Sequence, residues 1–245
     1  GYNFYGQLGN SARMNENTPV EITNKFILID GEKVINISLG LRHSAAVTNL
    51  GRVFTWGNNE FGQLGDGTVA DKYKPTDITS KFFLEDEEKV IRVDLGNYHS
   101  AAITNLGRVF TWGDNDYGQL GNGTLIGKNI PTKITFDNLE NEEMIISISL
   151  GRYYSAVITN LGRVFTWGDN DYGQLGDKTE VNKISPTEIT DRFILENGEK
   201  VIDVTLGSYH SAVLTSFGKA FIWGNNFNGQ LGDNSISNKN YPANE

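Results

Sequence analysis

Short runs of β-branched and aromatic residues alternate along this chain with polar stretches rich in glycine. Residues 90–96, "VIRVDLG", set Ile91, Val93 and Leu95 against Arg92 and Asp94, the period-two pattern of a half-buried strand. "HSAAIT" at 99–104 predicts a second strand whose small residues suit a tightly packed centre. "NLG" then reads as a tight turn in which Gly107 supplies a left-handed backbone. "RVFTW" at 108–112 is a third strand, built from strong strand formers. A glycine-dense loop, "GDNDYGQLGNGT", leads to a fourth near "PTKIT" at 131–135, where proline fits an outer edge that has no ladder bond to lose.

This arrangement recurs. "NLGRVFTWGDNDYGQLG" begins at Asn105 and returns from Asn160, with altered copies from Asn49 and Ser216. Trp56, Trp112, Trp167 and Trp223 stand 56, 55 and 56 residues apart. Pro19, Pro75, Pro131, Pro186 and Pro242 are spaced 56, 56, 55 and 56. Four antiparallel strands per unit at a fixed period predict an all-β fold, a β-propeller of four-stranded antiparallel blades. A β-solenoid is the rival, but its coil is nearer about 20–30 residues. Each blade faces the same packing problem, so the tryptophans are expected between blades and the Gly-Gln-Leu-Gly runs as loop supports.

The 245 residues read as a single repeat domain with units 1–56, 57–112, 113–167, 168–223 and a partial 224–245. Gly1 matches Gly57, which gives four nearly complete blades, an extra N-terminal outer-strand segment and a shortened C-terminal one, in a partial or closed ring. Thr18 to Ile22 could close the last blade, yet the "GQLG" loop is present at both ends. A piece of a longer array, or chains that continue one another, is therefore the expectation. Open blade faces and sheet edges favour self-association.

The motifs "LGxxHSAAxT", "GRVFTWG" and "GxNxxGQLG" resemble the regulator of chromosome condensation repeat family, and the resemblance covers the whole chain. It implies a propeller, typically seven-bladed, and its near-identical repeats and Asn, Lys and Ile content look most like bacterial members. The resemblance offers three activities: nucleotide exchange on a small GTPase, ultraviolet-B sensing through clustered tryptophans, and inhibition of β-lactamases. Fold alone does not choose among them. The exchange factor inserts a projecting wedge that these spacings leave no room for. The photoreceptor places Trp two residues before the repeat histidine, where this chain has Leu41, Asn97, Arg152 and Ser208.

Composition narrows the classes further. With 30 acidic against 21 basic residues the net charge is −9, unfavourable for gripping nucleic-acid phosphates or an anionic membrane surface. No run approaches the about 18 apolar residues of a membrane helix. Cysteine is absent, which excludes disulfides and thiolate chemistry. That absence fits an exported or cell-surface protein.

No catalytic set is suggested, and no cofactor or metal site is expected. His43, His99 and His210 share one repeat position, but Tyr154 takes it in the third repeat, so each ring is expected to bond neighbouring backbone. Asp114, Asp116 and Gly118, and Asp169, Asp171 and Gly173, have the start of a calcium loop. The bidentate Glu that such a loop needs is replaced by Leu125, so turn-forming Asx residues explain them better. The acidic runs at 84–89 and 139–143 read as solvated loops.

The loops after the first and third strands of a blade emerge on one face. First-strand loops vary most between copies: Leu41 and Arg42, Asn97 and Tyr98, Arg152 and Tyr153, Ser208 and Tyr209. Third-strand loops add Phe61, Tyr117 and Tyr172. Tyrosine and arginine gathered on one surface suit a protein-binding patch. The expected function is a non-enzymatic interaction scaffold with a protein partner. Self-assembly through open blade ends, and regulation of an enzyme or small GTPase, are the alternatives.

Overall fold

The computed structural model describes residues 1–242, so the last three residues of the partial unit 224–245 lie outside the described residues. The chain divides into two compact units, the first comprising Gly1–Asp114 with Gly127–Lys133 and the second Asn115–Ile126 with Ile134–Glu245. The first unit carries two antiparallel sheets. One runs β1 (Val34–Leu39), β2 (His43–Thr48), β3 (Val53–Gly57), β4 (Lys72–Asp77); the other runs β5 (Val90–Leu95), β6 (His99–Thr104), β7 (Val109–Gly113), β8 (Lys128–Ile134). The second unit holds β9 (Ile145–Leu150), β10 (Tyr154–Thr159), β11 (Val164–Gly168), β12 (Lys183–Glu188), and a last sheet of β13 (Val201–Leu206), β14 (His210–Thr215), β15 (Ala220–Gly224). In each sheet the strands lie side by side in chain order, the meander expected of a blade. Beyond β15, Lys239 bridges Gly224 where a fourth strand would begin.

The sequence pattern explains most of this. β6 is buried along its whole length, as its small residues predict. Gly107 adopts φ +71 and its amide closes the turn onto Thr104. Pro75 sits in β4 where the pairing with β3 skips from Thr55–Thr76 to Gly57–Lys72, so its missing N–H costs no bond.

The first strand corrects the alternation read from the sequence. Its pairing with β6 skips between Val90 and Arg92, so Ile91 is the extra residue of a β-bulge. Val90, Val93 and Leu95 are buried, whereas Ile91 is 41% exposed. The bulge shifts the phase by one residue, and the same irregularity recurs on β1 and β13.

Single 3-10 turns at Thr23–Lys25, Thr79–Lys81 and Thr190–Arg192 deliver Phe26, Phe82 and Phe193 onto the sheets. Phe82 meets Phe110 and Trp112 edge-on at 5.3 and 5.6 Å, and Phe26 and Phe193 repeat the arrangement. Phe82, Phe110 and Trp112 complete a core of Ala45, Val47, Val53, Val90, Val93 and Leu95 between the two sheets of the first unit. Ala156, Ile158, Val164, Val201 and Val204 form its counterpart in the second. No helix among the described residues is long and apolar enough to cross a membrane.

Candidate protein-interaction face

The loop after each third strand is organised by one asparagine. Asn59 is wholly buried; its Nδ2 donates to Asp66 Oδ1 and to the carbonyls of Thr68 and Ala70, and its Oδ1 accepts the Leu64 amide at 2.9 Å. Asn3, Asn115, Asn170 and Asn226 make the corresponding bonds. This is why the motif keeps Asn at its third position: a side-chain amide can donate and accept at once.

The Gln-Leu-Gly that follows holds the next blade. Trp112 Nε1 donates to the Gln63 carbonyl at 2.9 Å, and Ser100 Oγ donates to the same oxygen at 2.8 Å. Gly65, at φ +73, lies against that indole; a Cβ there would come within 2.8 Å of Nε1. Trp56 with Gln7, Trp167 with Gln119 and Trp223 with Gln174 repeat the clasp.

The repeat histidine joins neighbouring blades. His43 Nε2 lies 3.0 Å from Ser100 Oγ, so its partner includes a hydroxyl of the next blade beyond the backbone bond expected. Burial holds its imidazole down at about 3, against a smaller upward pull from the His99 main chain. In the third repeat Tyr154 reaches the equivalent Ser211 and donates to the His210 carbonyl at 2.6 Å. The two residues do one job at different reach. Among the described residues no group of acidic or histidine side chains could hold a metal. Asp169 Oδ1 accepts the Asp171 amide, the Asx turn expected there.

Above these supports lie the loop residues singled out by their variation. In the first unit Phe61 meets Tyr98 edge-on at 5.2 Å, beside the half-exposed Asn97. In the second, Tyr117 stacks on Tyr153 at 4.7 Å and Tyr172 meets Tyr209 at 5.0 Å. The Arg152 guanidinium lies over both Tyr153 and Tyr209, 5.0 and 5.3 Å from their centroids, and donates to the Tyr209 hydroxyl. Ser208 and Leu41 are exposed, each on its own loop.

Sequence reading missed Tyr5, Phe4 and Phe227. Arg42 stacks on Tyr5 at 5.0 Å and donates to its hydroxyl, Phe4 packs edge-on against Tyr5, and Phe227 does the same against Tyr172. Aligning residues 1–9 and 224–232 with the complete copies would have found them, since Tyr5 stands where Tyr117 and Tyr172 stand.

At the other end of the sheets the acidic runs depart from the solvated reading. The side chains of Glu88 and Glu143 are fully buried, paired with Arg108 and Arg163. Glu32 shows the full set: it accepts from Thr48 Oγ1 at 2.6 Å, the Ile29 amide at 3.0 Å and Arg52 at 2.8 Å. Burial would raise its pKa, but these donors outweigh it and hold the carboxyl below its ordinary value. Asp86 and Glu87, just before Glu88, are exposed, as expected.

The sequence profile of the RCC1-like domain family matches residues 1–244. The chain is 34% identical to human E3 ubiquitin-protein ligase HERC2 over 240 residues, covering 97% of this chain and 5% of that one. It is 32% identical to the ultraviolet-B receptor UVR8 of Arabidopsis thaliana over 242 residues, covering 99% and 52%. It thus spans about half or less of these relatives. Both are eukaryotic, and the bacterial affinity suggested by composition receives no support. Human WBSCR16 superposes with a TM-score of 0.79 at 27% identity, covering 98% of this chain and 60% of that one. Yeast RCC1 (Prp20), in complex with Kap60, gives 0.72 at 22%, covering 88% and 49%, a likeness of fold alone. With its blades, clasp loops and full-length match, the chain belongs to the RCC1-like domain family.

Proposed function

We propose that this chain is a non-enzymatic interaction module that binds a protein partner through the face formed by the loops after the first and third strands. The observation that carries this reading is the run of aromatic pairs there, above all Arg152 held between Tyr153 and Tyr209. Rigid tyrosines and a stacked arginine lose little entropy on binding and dominate the energetics of protein interfaces. The supports beneath are repeated nearly unchanged, so the face can vary without disturbing the blades. Prp20p of Saccharomyces cerevisiae, which shares the fold, binds Gsp1p and histones, a precedent for protein partners on this fold.

Alanine at Tyr98, Arg152, Tyr153 and Tyr209 tests the reading. Each loses a partly exposed side chain, so circular dichroism and melting temperature should change little. Affinity for a captured partner should fall by about tenfold or more per hot-spot residue. Unchanged affinity in all four variants for every partner would sink the assignment. An assay of nucleotide release from small GTPases separates simple binding from exchange activity.

A further inference from the structure

Most buried carboxylates of this chain carry a cation of their own. Glu32, Glu88, Glu143 and Glu199 pair with Arg52, Arg108, Arg163 and Lys219. Asp66, Asp177 and Asp233 pair with Lys72, Lys183 and Lys239. Asp169, in the loop after β11, departs from this. It is 3% exposed, and among the described residues no lysine or arginine pairs with it or with the exposed Asp171 two residues on. Burial and the Asp171 charge hold its carboxyl above the ordinary value, against donors from the Asp171 and Asn170 amides and the Gln174 side chain. Arg152, on the same loop face, is engaged with Tyr153 and Tyr209 instead.

The fold does not ask for that charge. Asn58 and Asn225 hold the position of Asp169 in other repeats, where they accept from Gln63 and Gln230 at 2.7 and 2.6 Å. Asn225 Oδ1 takes the Phe227 amide as Asp169 Oδ1 takes that of Asp171. An amide oxygen is enough for the turn, so the carboxylate is surplus to it. An aromatic wall stands beside it. Burial raises the Tyr117 phenol, and Tyr153 with the charges of Asp169, Asp171 and Asp116 raises it further, which brings these groups into one neighbourhood.

We propose that Asp169 and Asp171, with Tyr117 beside them, take a lysine or arginine side chain of the protein partner. The proposal rests on the loop-face reading and names the partner's chemistry at one point of that face. Carboxylates and electron-rich ring faces are together complementary to a cation. A basic side chain seated there supplies the neutralising charge that Asp169 lacks, and the net charge of −9 draws basic partners towards the chain. Among the described residues no group of acidic side chains is set to hold a metal ion, which leaves a side-chain cation as the occupant.

The probe is a fluorescein-labelled Gly-Ser peptide bearing three arginines, titrated with the whole chain by anisotropy in about 0.15 M salt, which screens loose attraction to the net charge. It should bind, and the same peptide with citrulline for arginine should not. Asp169→Asn with Asp171→Asn should weaken binding by about tenfold. Asp86→Asn with Glu87→Gln removes the same charge from an exposed turn and should change it by less than about twofold. The double asparagine variant should keep the wild-type circular dichroism and melting temperature or melt higher, since asparagine already serves at 58 and 225. No binding up to about 1 mM, equal losses in the two double variants, or equal binding of the citrulline peptide would overturn the proposal. A captured partner that loses affinity to Tyr153→Ala and Tyr209→Ala but not to the two asparagines would overturn it and leave the loop-face reading standing. A partner indifferent to all four would remove both.

Discussion

The indole nitrogen of Trp112 donates to the carbonyl of Gln63, a residue 49 positions earlier and one blade back. That bond, with Gly65 flat against the ring, is the contact by which a loop of one repeat reads the next. Gly65→Ala puts a side chain into a left-handed backbone and into the indole. The cost should be about 2–4 kcal/mol by chemical denaturation, against about 1 kcal/mol for Gly218→Ala, which has φ +82 but open space around it.

Glu88 and Asp86 are two residues apart in one acidic run and should behave differently. Glu88→Ala takes the buried carboxylate from Arg108, which keeps Glu85 and the Phe83 carbonyl, and leaves the Glu85 amide unpaired, so it should cost about 1–3 kcal/mol. Asp86→Ala, on the exposed side, should stay within about 0.5 kcal/mol. Equal effects in urea melts would contradict the buried pairing.

His43 predicts an acid limb in stability. Its folded-state pKa is about 3, below the ordinary 6.5, so the unfolded chain takes up the proton first. Stability is fully present above pH 6.5 and falls as pH drops towards 3, by about 1.4 kcal/mol per unit. His43→Gln, which keeps a donor for Ser100, should flatten the fall between pH 7 and 5 in thermal melts. The lowered carboxyls of Glu32 and Glu143 act in the same sense but only in more acidic solution, below about 4.5, so the two limbs separate.

Tyr154→Phe removes a hydroxyl that donates to the His210 carbonyl. The loss should be about 1–2 kcal/mol, read as a lower denaturation midpoint with an unchanged slope.

Strand order, turn chemistry and the edge prolines were legible because each depends on residues within one repeat. The bulge at Ile91 was not, because an inserted residue looks like ordinary alternation until the partner strand is known. Burial of Glu88 and Glu143 was hidden for a related reason: their neutralising arginines lie about 20 residues on, across a turn. Within each unit the loop aromatics meet because antiparallel order alone brings those loops to one end of a sheet. Tyr5 and Phe227 escaped notice because the copies that carry them are incomplete.

The clasp also bears on how such a chain changes length over generations. Among the described residues the loops of Gln7, Gln63, Gln119 and Gln174 each hold the tryptophan of the repeat that follows. Unequal crossing-over that adds or removes a whole period leaves each internal loop facing a tryptophan of the same chemistry. A gene built this way can gain or lose blades in single genetic events, with no misfitted junction for selection to repair.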